Sequence, residues 1–146
     1  LDHRGKNFRH SIYPDYKANR PPYEVALEDQ LPLLPVVASA FGIPCIVTQG
    51  FEADDLIATL AAMCEDAGLG VVIASSDKDL CQLVTDNVIM YDAMHDKDPE
   101  RFDVSGALID VDKVKEKWGV WPEQMIDLQA LTGDTVDNVP GVPKIG

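Results

Sequence analysis

The spacing of apolar residues changes along this chain, and the changes predict an α/β fold. In the segment EADDLIATLAAMCEDAG the apolar side chains share one face of a helix, which Gly68 ends. Two short β-branched runs, IPCIVT at residues 43–48 and GVVIASS at 70–76, are typical of buried parallel strands, and NVIMYD at 87–92 predicts another strand. Strand–helix–strand alternation implies right-handed crossovers. We therefore predict three layers, a mostly parallel central sheet with helices on both faces.

Further helices are predicted before and after this alternation. Residues 23–42 have helical spacing, although Pro32 and Pro35 must begin or kink the second part. The run DLCQLV at 79–84 predicts a short helix, and residues 110–119 begin with an Asp cap. Residues 122–133 read as a helix with proline in the first turn. The polar segment 93–106 predicts a loop.

Composition limits the classes of protein that the chain can represent. With 146 residues, 46% of them hydrophobic, it can bury the core of one domain. No apolar run approaches the roughly 20 residues of a membrane span, so we expect no membrane partner. Three widely spaced cysteines, Cys45, Cys64 and Cys81, lie in apolar surroundings and predict buried, reduced thiols. The chain does not begin with Met, and we expect it to be part of a longer protein.

Charge is distributed unevenly along the chain. Residues 1–22 hold five basic and two acidic side chains, a net charge of +3, whereas the whole chain carries −13. A basic N-terminal segment on an acidic body suggests two tasks rather than one. A solvated basic end on an acidic domain is the alternative that charge alone leaves open.

Acidic residues form three short clusters. The first cluster, Glu52, Asp54 and Asp55, falls in the first turn of a predicted helix. Asp77 and Asp79 follow a predicted strand at the edge where α/β folds bind their ligands. Asp134 and Asp137 are spaced i, i+3. Single acids at such positions are also helix caps or partners of the helix dipole, which gain only about 0.3–1 kcal/mol.

Crowded carboxylates indicate a cation. Two of them about 6 Å apart repel by roughly 3 kcal/mol at an effective dielectric of 20, so a cleft that holds them needs a compensating charge. Oxygen ligands without paired Cys or His favour a hard ion such as Mg²⁺ or Mn²⁺ over zinc. Seven acids are too many for one Mg²⁺, which keeps several waters. The sequence therefore predicts two ions and two-metal phosphoryl chemistry.

Four ordered blocks carry a resemblance over nearly the whole chain. FRHSIYPDYKANRPP, GFEADDLIATLA, SSDKDLCQLV and GDTVDNVPGVPKIG together resemble the 5′-nuclease domain of bacterial DNA polymerase I, within the flap endonuclease family. The resemblance implies a PIN-like 5′-nuclease core at residues 1–131 and the start of a helix–hairpin–helix element at 132–146. It implies a 5′-3′ exonuclease and 5′ flap endonuclease in primer removal and DNA repair, in the cytoplasm near the bacterial nucleoid. A polymerase domain is expected to continue the parent chain.

The resemblance also implies the site residues. Its metal ligands are Asp2, Glu52, Asp54, Asp55, Asp77, Asp79, Asp134 and Asp137, and its catalytic set is Asp54, Asp55, Asp77, Asp79, Lys17 and Arg20. Its DNA contacts are Phe8, Arg9, Tyr16, Lys17, Arg20, Gly141, Val142, Lys144 and Gly146. Lys17 and Arg20 are suited to neighbouring phosphates, and Tyr16 to stacking on an unpaired base. The hairpin is expected to hold a duplex phosphate and a monovalent cation.

The expected partner is DNA, as 5′ flaps, nicked or gapped duplexes, and RNA primers on DNA. The family has an earlier strand with a further metal-binding Asp, and the present sequence does not contain it. Two alternatives remain at this point. One is a PIN-type ribonuclease for single-stranded RNA, and the other is a catalytically inactive module that binds branched DNA. The seven acids argue against an inactive module, because without metal their repulsion has no use.

Overall fold

The computed structural model describes residues 1–95, 104 and 106–145, and the chain divides into two compact units. The first unit comprises Leu1–Leu56 and Asp134–Pro140, and the second Ile57–Gly133 and Gly141–Gly146. The helices are α1 Arg9–Ile12, α2 Val25–Glu28, α3 Leu34–Ala40, α4 Ala53–Asp66, α5 Val111–Trp118 and α6 Met125–Thr132. The strands are β1 Val71–Ala74, β2 Val88–Tyr91, β3 Leu108–Ile109, β4 Gly133–Asp134 and β5 Val139–Pro140. Short 3₁₀ helices occupy Leu31–Leu33, Lys78–Leu83, Ala93–His95 and Pro122–Gln124.

The second unit is built on a small mixed sheet. β1 and β2 pair in parallel from Val71 opposite Val88, and β3 joins β2 antiparallel with Ile109 opposite Met90. Its buried core is formed by Ala61, Ile73, Leu80, Cys81, Val84, Val88, Met90, Ile109, Val114 and Met125. Full burial of one such aliphatic side chain contributes about 1.5–3 kcal/mol. This core fixes the end of β1, from which Asp77 and Asp79 follow.

The helices predicted at residues 52–68, 110–119 and 122–133 are confirmed together with the residues that limit them. α4 ends before Gly68, whose φ of 74° is left-handed. α5 begins at the Asp110 cap, whose side chain accepts from the Lys113 amide, and ends at left-handed Gly119. Pro122 opens a 3₁₀ turn that leads into α6. These capping residues could be predicted from the sequence because a cap acts within one turn of the helix end.

The first unit departs from prediction in its helices. Residues 23–42 form α2, a 3₁₀ turn and α3 rather than one helix. Pro32 and Pro35 each lie in the first turn of a new helical piece, as expected of a residue without an N–H. The kink was therefore predicted, and its extent was not.

The sheet prediction was wrong in two respects. In the three-stranded sheet one of the two pairings is antiparallel, so the sheet is mixed rather than mostly parallel, and residues 43–48, all described, form no strand. Asp2 also lies outside any strand. A β-branched run becomes a strand only when a neighbouring strand pairs with its backbone, which hydrophobic pattern alone cannot supply. Cys45 is exposed and Cys64 half-buried, so only Cys81 of the three described cysteines is the buried thiol expected.

Some predictions concern residues or arrangements that the structure does not describe. Most of the loop predicted at 93–106 and the glycine at position 146 lie outside the described residues. In the described part of the chain no helix is long and apolar enough to cross a membrane. The three-layer arrangement and the helix–hairpin–helix element remain predictions.

Candidate nuclease site

In the first unit, the segment around Lys17 is fastened to the turn that contains Asp137. The Lys17 amide donates to the Asp137 carbonyl at 2.9 Å. The Asn138 side chain donates to the Asp15 carbonyl at 2.8 Å, and Asn19 donates to the Thr135 carbonyl at 2.7 Å. These bonds join residues more than 100 positions apart and bring the basic segment against an acidic turn.

The turn itself is shaped by Asp134. Its carboxylate accepts from the amides of Val136 at 2.8 Å and Asp137 at 3.1 Å, as an Asx turn does. Asn138 follows with φ of 59°, and Lys17 adopts φ of 58° on the other side. Left-handed backbone at a lysine costs roughly 1 kcal/mol, which the bond from its amide to Asp137 helps to offset.

The Glu52 carboxylate accepts hydrogen bonds from three side chains. The residue is 9% exposed. Its Oε1 accepts from Lys17 Nζ at 2.6 Å and from Asn7 Nδ2 at 2.7 Å, and its Oε2 accepts from the Tyr16 hydroxyl at 2.9 Å. Burial of a carboxylate is unfavourable unless it is paired and hydrogen-bonded, and Glu52 is both.

Two further carboxylates lie beside these donors. Asp137 accepts from Arg20 and, at 3.0 Å, from Tyr16, and its Oδ2 is 3.8 Å from Lys17 Nζ. Asp55 accepts hydrogen bonds from both terminal nitrogens of Arg9, at 2.9 and 2.7 Å. We call Glu52, Asp55 and Asp137 the carboxylate cluster. Each of its members is opposed by a basic side chain from residues 9–20.

The pKa values follow these contacts. The hydrogen bonds from Arg9 hold the pKa of the Asp55 carboxyl below its ordinary value, and that pairing raises the pKa of Arg9. Burial, and then hydrogen bonds to Glu52 and Asp137, raise the pKa of the Tyr16 hydroxyl. The phenol therefore stays protonated, and its single O–H is shared between the carboxylates of Glu52 and Asp137.

The same acids also begin α4. The Glu52 amide donates to Asp55 Oδ2 at 2.9 Å, which is half of a capping box. The Ala53 amide donates to Asp2 Oδ1 at 2.6 Å. Asp54 lies in the first turn of the helix. Helix capping thus accounts for the placement of Asp55, through a local contact, and of Asp2, through a contact across 51 positions, and it leaves the crowding around Glu52 to be explained.

In the second unit, Asp77 and Asp79 follow the carboxyl end of β1. Asp77 caps the 3₁₀ helix by accepting from the Asp79 amide at 2.9 Å, and the Asp77 amide donates to the Ser75 hydroxyl at 3.1 Å. The Asp79 carboxylate accepts from the Gln129 side chain. Of these two acids, Asp77 is the helix cap.

The predicted DNA-contact residues differ in availability. The Tyr16 ring is 7% exposed, with His10 against it edge-on, whereas Phe8 is 43% exposed beside Phe51. The Val142 amide already donates to the Leu131 carbonyl at 2.8 Å. A Cβ on Gly141 would lie 2.3 Å from the Thr132 carbonyl oxygen, so that glycine is required by close packing. Lys144 is exposed, with left-handed backbone.

A hard divalent cation fits the chemistry of the carboxylate cluster. Lys17 Nζ lies between Glu52 Oε1 and Asp137 Oδ2, so a positive charge already occupies the space between two carboxylates. Mg²⁺ commonly binds through one or two carboxylates and keeps its remaining waters. Within the described residues, no group of three His, Cys, Asp or Glu side chains is arranged to hold an ion. The first unit thus offers a pair of oxygen ligands compensated by lysine, rather than a closed cage.

Comparison with known proteins identifies the family. Residues 1–119 match the family described as 5′-3′ exonuclease, N-terminal resolvase-like domain, and the chain belongs to it. The resemblance inferred from the sequence is therefore confirmed.

Two curated relatives and one solved structure show how much of each protein is shared. The whole of this chain aligns with 13% of the length of DNA polymerase I from Rhizobium leguminosarum, at 54% identity. The whole chain also aligns with 47% of the length of a 5′-3′ exonuclease from Buchnera aphidicola subsp. Schizaphis graminum, at 39% identity. The bacteriophage T5 flap endonuclease, solved with DNA and metal ions, matches with a TM-score of 0.76 and 28% identity over 99% of this chain and 54% of that one. The chain thus spans about half of the length of these relatives or less.

Two polar residues of these sites escaped sequence reasoning. Asn7 binds Glu52 across 45 positions, and Gln129 binds Asp79 across 50. Neither residue has a spacing that reveals it, because the contact exists only after the chain folds. Asn7 directly precedes the block that carried the resemblance, which was the one available hint.

Proposed function

We propose that this chain is the catalytic part of a divalent-metal-dependent 5′-3′ exonuclease and 5′ flap endonuclease that hydrolyses DNA phosphodiesters. Family membership supports the reaction class, since relatives are named 5′-3′ exonucleases and the T5 relative is a flap endonuclease solved with DNA and metal ions. The single observation that carries the proposal is the set of basic side chains lying on the carboxylate cluster.

That set joins the two components which phosphoryl chemistry requires. Lys17 and Arg20 are suited to phosphate, and Glu52 and Asp137 are suited to a hard cation. When neither a phosphate nor a cation is bound, the positive charges of the two basic residues compensate the negative charges of the two carboxylates. When Lys17 and Arg20 bind a scissile phosphate instead, they orient it and stabilise its developing charge.

We assign the metal ligands to the acids of all three sequence clusters and to Asp2. They are Asp2, Glu52, Asp54, Asp55, Asp77, Asp79, Asp134 and Asp137. Their all-oxygen character favours two ions of Mg²⁺ or Mn²⁺. When bound, such ions supply a water of lowered pKa and offset charge on the phosphate. Lys17 and Arg20 would position the phosphate toward them.

The substrates follow from the same family. We propose 5′ flaps, nicked or gapped duplexes and RNA primers on DNA, with primer removal and repair as the cellular tasks. Phe8, exposed beside Arg9, is available for stacking on a base. Residues 132–146 would begin a helix–hairpin–helix element that holds duplex phosphate through Lys144 and binds a monovalent ion. A polymerase domain in the same parent chain is part of this proposal.

The proposal is tested by cleavage of end-labelled 5′-flap DNA by the full-length protein, with Mg²⁺ and with EDTA. A matched 3′ flap and an RNA hairpin serve as competing substrates. We expect cleavage of the 5′ flap alone and only with metal. Preferred cleavage of the RNA hairpin would instead support a PIN-type ribonuclease, and flap binding without cleavage would support an inactive module.

Variants then test the basic residues. Lys17→Ala and Arg20→Ala should each weaken flap binding and reduce its salt dependence by about one phosphate contact. Lys113→Ala is the matched control, because Lys113 is an exposed lysine of α5 outside the carboxylate cluster. If all three variants bind and cleave like the wild type across a salt series, Lys17 and Arg20 have only a structural role.

A further inference from the structure

Asn7 has both ends of its side-chain amide engaged. The residue is 9% exposed. Its Oδ1 accepts from the Arg9 amide at 3.0 Å at the start of α1, and its Nδ2 donates to Glu52 Oε1 at 2.7 Å. The first bond fixes which end of the amide is which, because only the oxygen can accept from a backbone N–H. The nitrogen is consequently directed at Glu52.

The three donors on Glu52 differ in charge. Lys17 neutralises the carboxylate, whereas Asn7 and Tyr16 donate without adding charge. A carboxylate has about four lone-pair directions. One neutral donor on each oxygen fixes the orientation of the group and leaves its negative charge intact. Lys17 is also the residue that the proposed function assigns to phosphate, so its bond to Glu52 is exchangeable.

We propose that Asn7 is a positioning residue that orients the Glu52 carboxylate for a divalent cation. This inference rests on the proposed function. Asn7 belongs to the loop just before α1, and the Arg9 amide holds its side chain in place. It therefore carries a rigid donor to Glu52 that does not depend on whether Lys17 lies on the carboxylate or on DNA. Outer hydrogen-bond partners of this kind affect metal affinity by about 10- to 100-fold.

Two substitutions separate the contact with Glu52 from the local turn. In Asn7→Ser the hydroxyl can still accept from the Arg9 amide but is too short to reach Glu52. In Asn7→Ala both contacts are lost. The measurement is Mn²⁺ affinity of the DNA-free, full-length protein, obtained by titration with detection of free Mn²⁺. A melting curve without metal checks that each variant folds.

Both variants should bind Mn²⁺ about tenfold or more weakly, and Asn7→Ser should be no better than Asn7→Ala. Asn87→Ser, which alters an exposed asparagine of the second unit, should leave the affinity unchanged. In a Glu52→Gln background the substitution Asn7→Ser should have no further effect, because the two residues act through one contact. Recovery of affinity by serine would show instead that Asn7 only shapes the turn.

The outcomes distinguish this inference from the proposed function. If the wild type cleaves flap DNA and Asn7→Ser binds Mn²⁺ normally, the role of Asn7 is refuted and the nuclease proposal stands. An Asn7→Ser effect of equal size in the Glu52→Gln background would likewise refute it. A wild-type protein that neither binds Mn²⁺ nor cleaves flap DNA would refute both.

Discussion

Substitution of Asp77 tests whether this acid is a cap or a metal ligand. Its Oδ1 accepts from the Asp79 amide at 2.9 Å, at the start of the 3₁₀ helix Lys78–Leu83. Asn has the same shape and retains a carbonyl oxygen for that bond, but it removes one negative charge. Ala removes both the oxygen and the charge. The pair Asp77→Asn and Asp77→Ala therefore separates capping from ligand charge.

Stability should respond to the cap alone. Replacing a capping Asp by Ala costs about 0.5–2 kcal/mol, whereas Asn and Asp cap about equally well. For a chain of this size, 1 kcal/mol corresponds to roughly 2–4 °C in melting temperature. We therefore expect Asp77→Ala to melt several degrees lower and Asp77→Asn to melt near the wild type in the absence of metal.

Cleavage should respond to the charge. Both variants should cut 5′-flap DNA at least about 100-fold more slowly in single-turnover experiments, equivalent to about 2.7 kcal/mol of transition-state stabilisation. Flap binding without metal should hold or improve, because one charge that repels phosphate is gone. Glu123→Gln, on the 3₁₀ turn before α6, is the control for loss of an exposed acid.

One result would refute the reasoning. If Asp77→Asn cleaves at a near-normal rate while Asp77→Ala is destabilised as calculated, Asp77 is a helix cap and the chemistry depends on other acids. Equal destabilisation of both variants would show that the capping bond needs the full charge of aspartate.

Two further predictions follow from the first unit. Millimolar Mg²⁺ or Mn²⁺ should raise the melting temperature, by about 2.7 kcal/mol of stability per site at 100 times Kd, and an unchanged melting point would count against the metal proposal. Arg9→Met should lower the free energy of unfolding by about 1 kcal/mol near pH 7, because Arg9 holds the pKa of Asp55 below its ordinary value of 3.8. The lowered pKa of Asp55 stabilises the folded state at pH values above the pKa of an unfolded aspartate. This stabilisation is lost as the pH falls through the pKa of Asp55 in the folded state, so urea titrations of the two proteins should converge below about pH 4. A constant difference from pH 7 to pH 3 would contradict this origin.

Helix boundaries of the second unit were predictable because their signals are local. Asp110 and Gly119 delimit α5 by capping, which involves residues within one turn of each other. The strands β1 and β2 were predictable for a related reason, since continuous β-branched runs fit a buried parallel pair. The two-residue strand β3 was missed, because pairing at Leu108 and Ile109 leaves almost no periodicity to read.

Residues 43–48 show the limit of such reading. Their sequence resembles β1, yet the described segment has no strand partner and Cys45 is exposed. The free energy of a strand comes from cross-strand pairing and burial, which depend on residues elsewhere in the chain.

The sequence by itself determined the family, the crowded acids and the basic segment that includes Lys17 and Arg20. These are properties of residue type and order, and they survive in four contiguous blocks. Only the tertiary structure decided which charges meet. Lys17 reaches Glu52 across 35 positions, and Asn7 reaches it across 45. Hydrogen bonds act over about 3 Å of space whatever the distance along the chain, so sequence spacing cannot encode such partners.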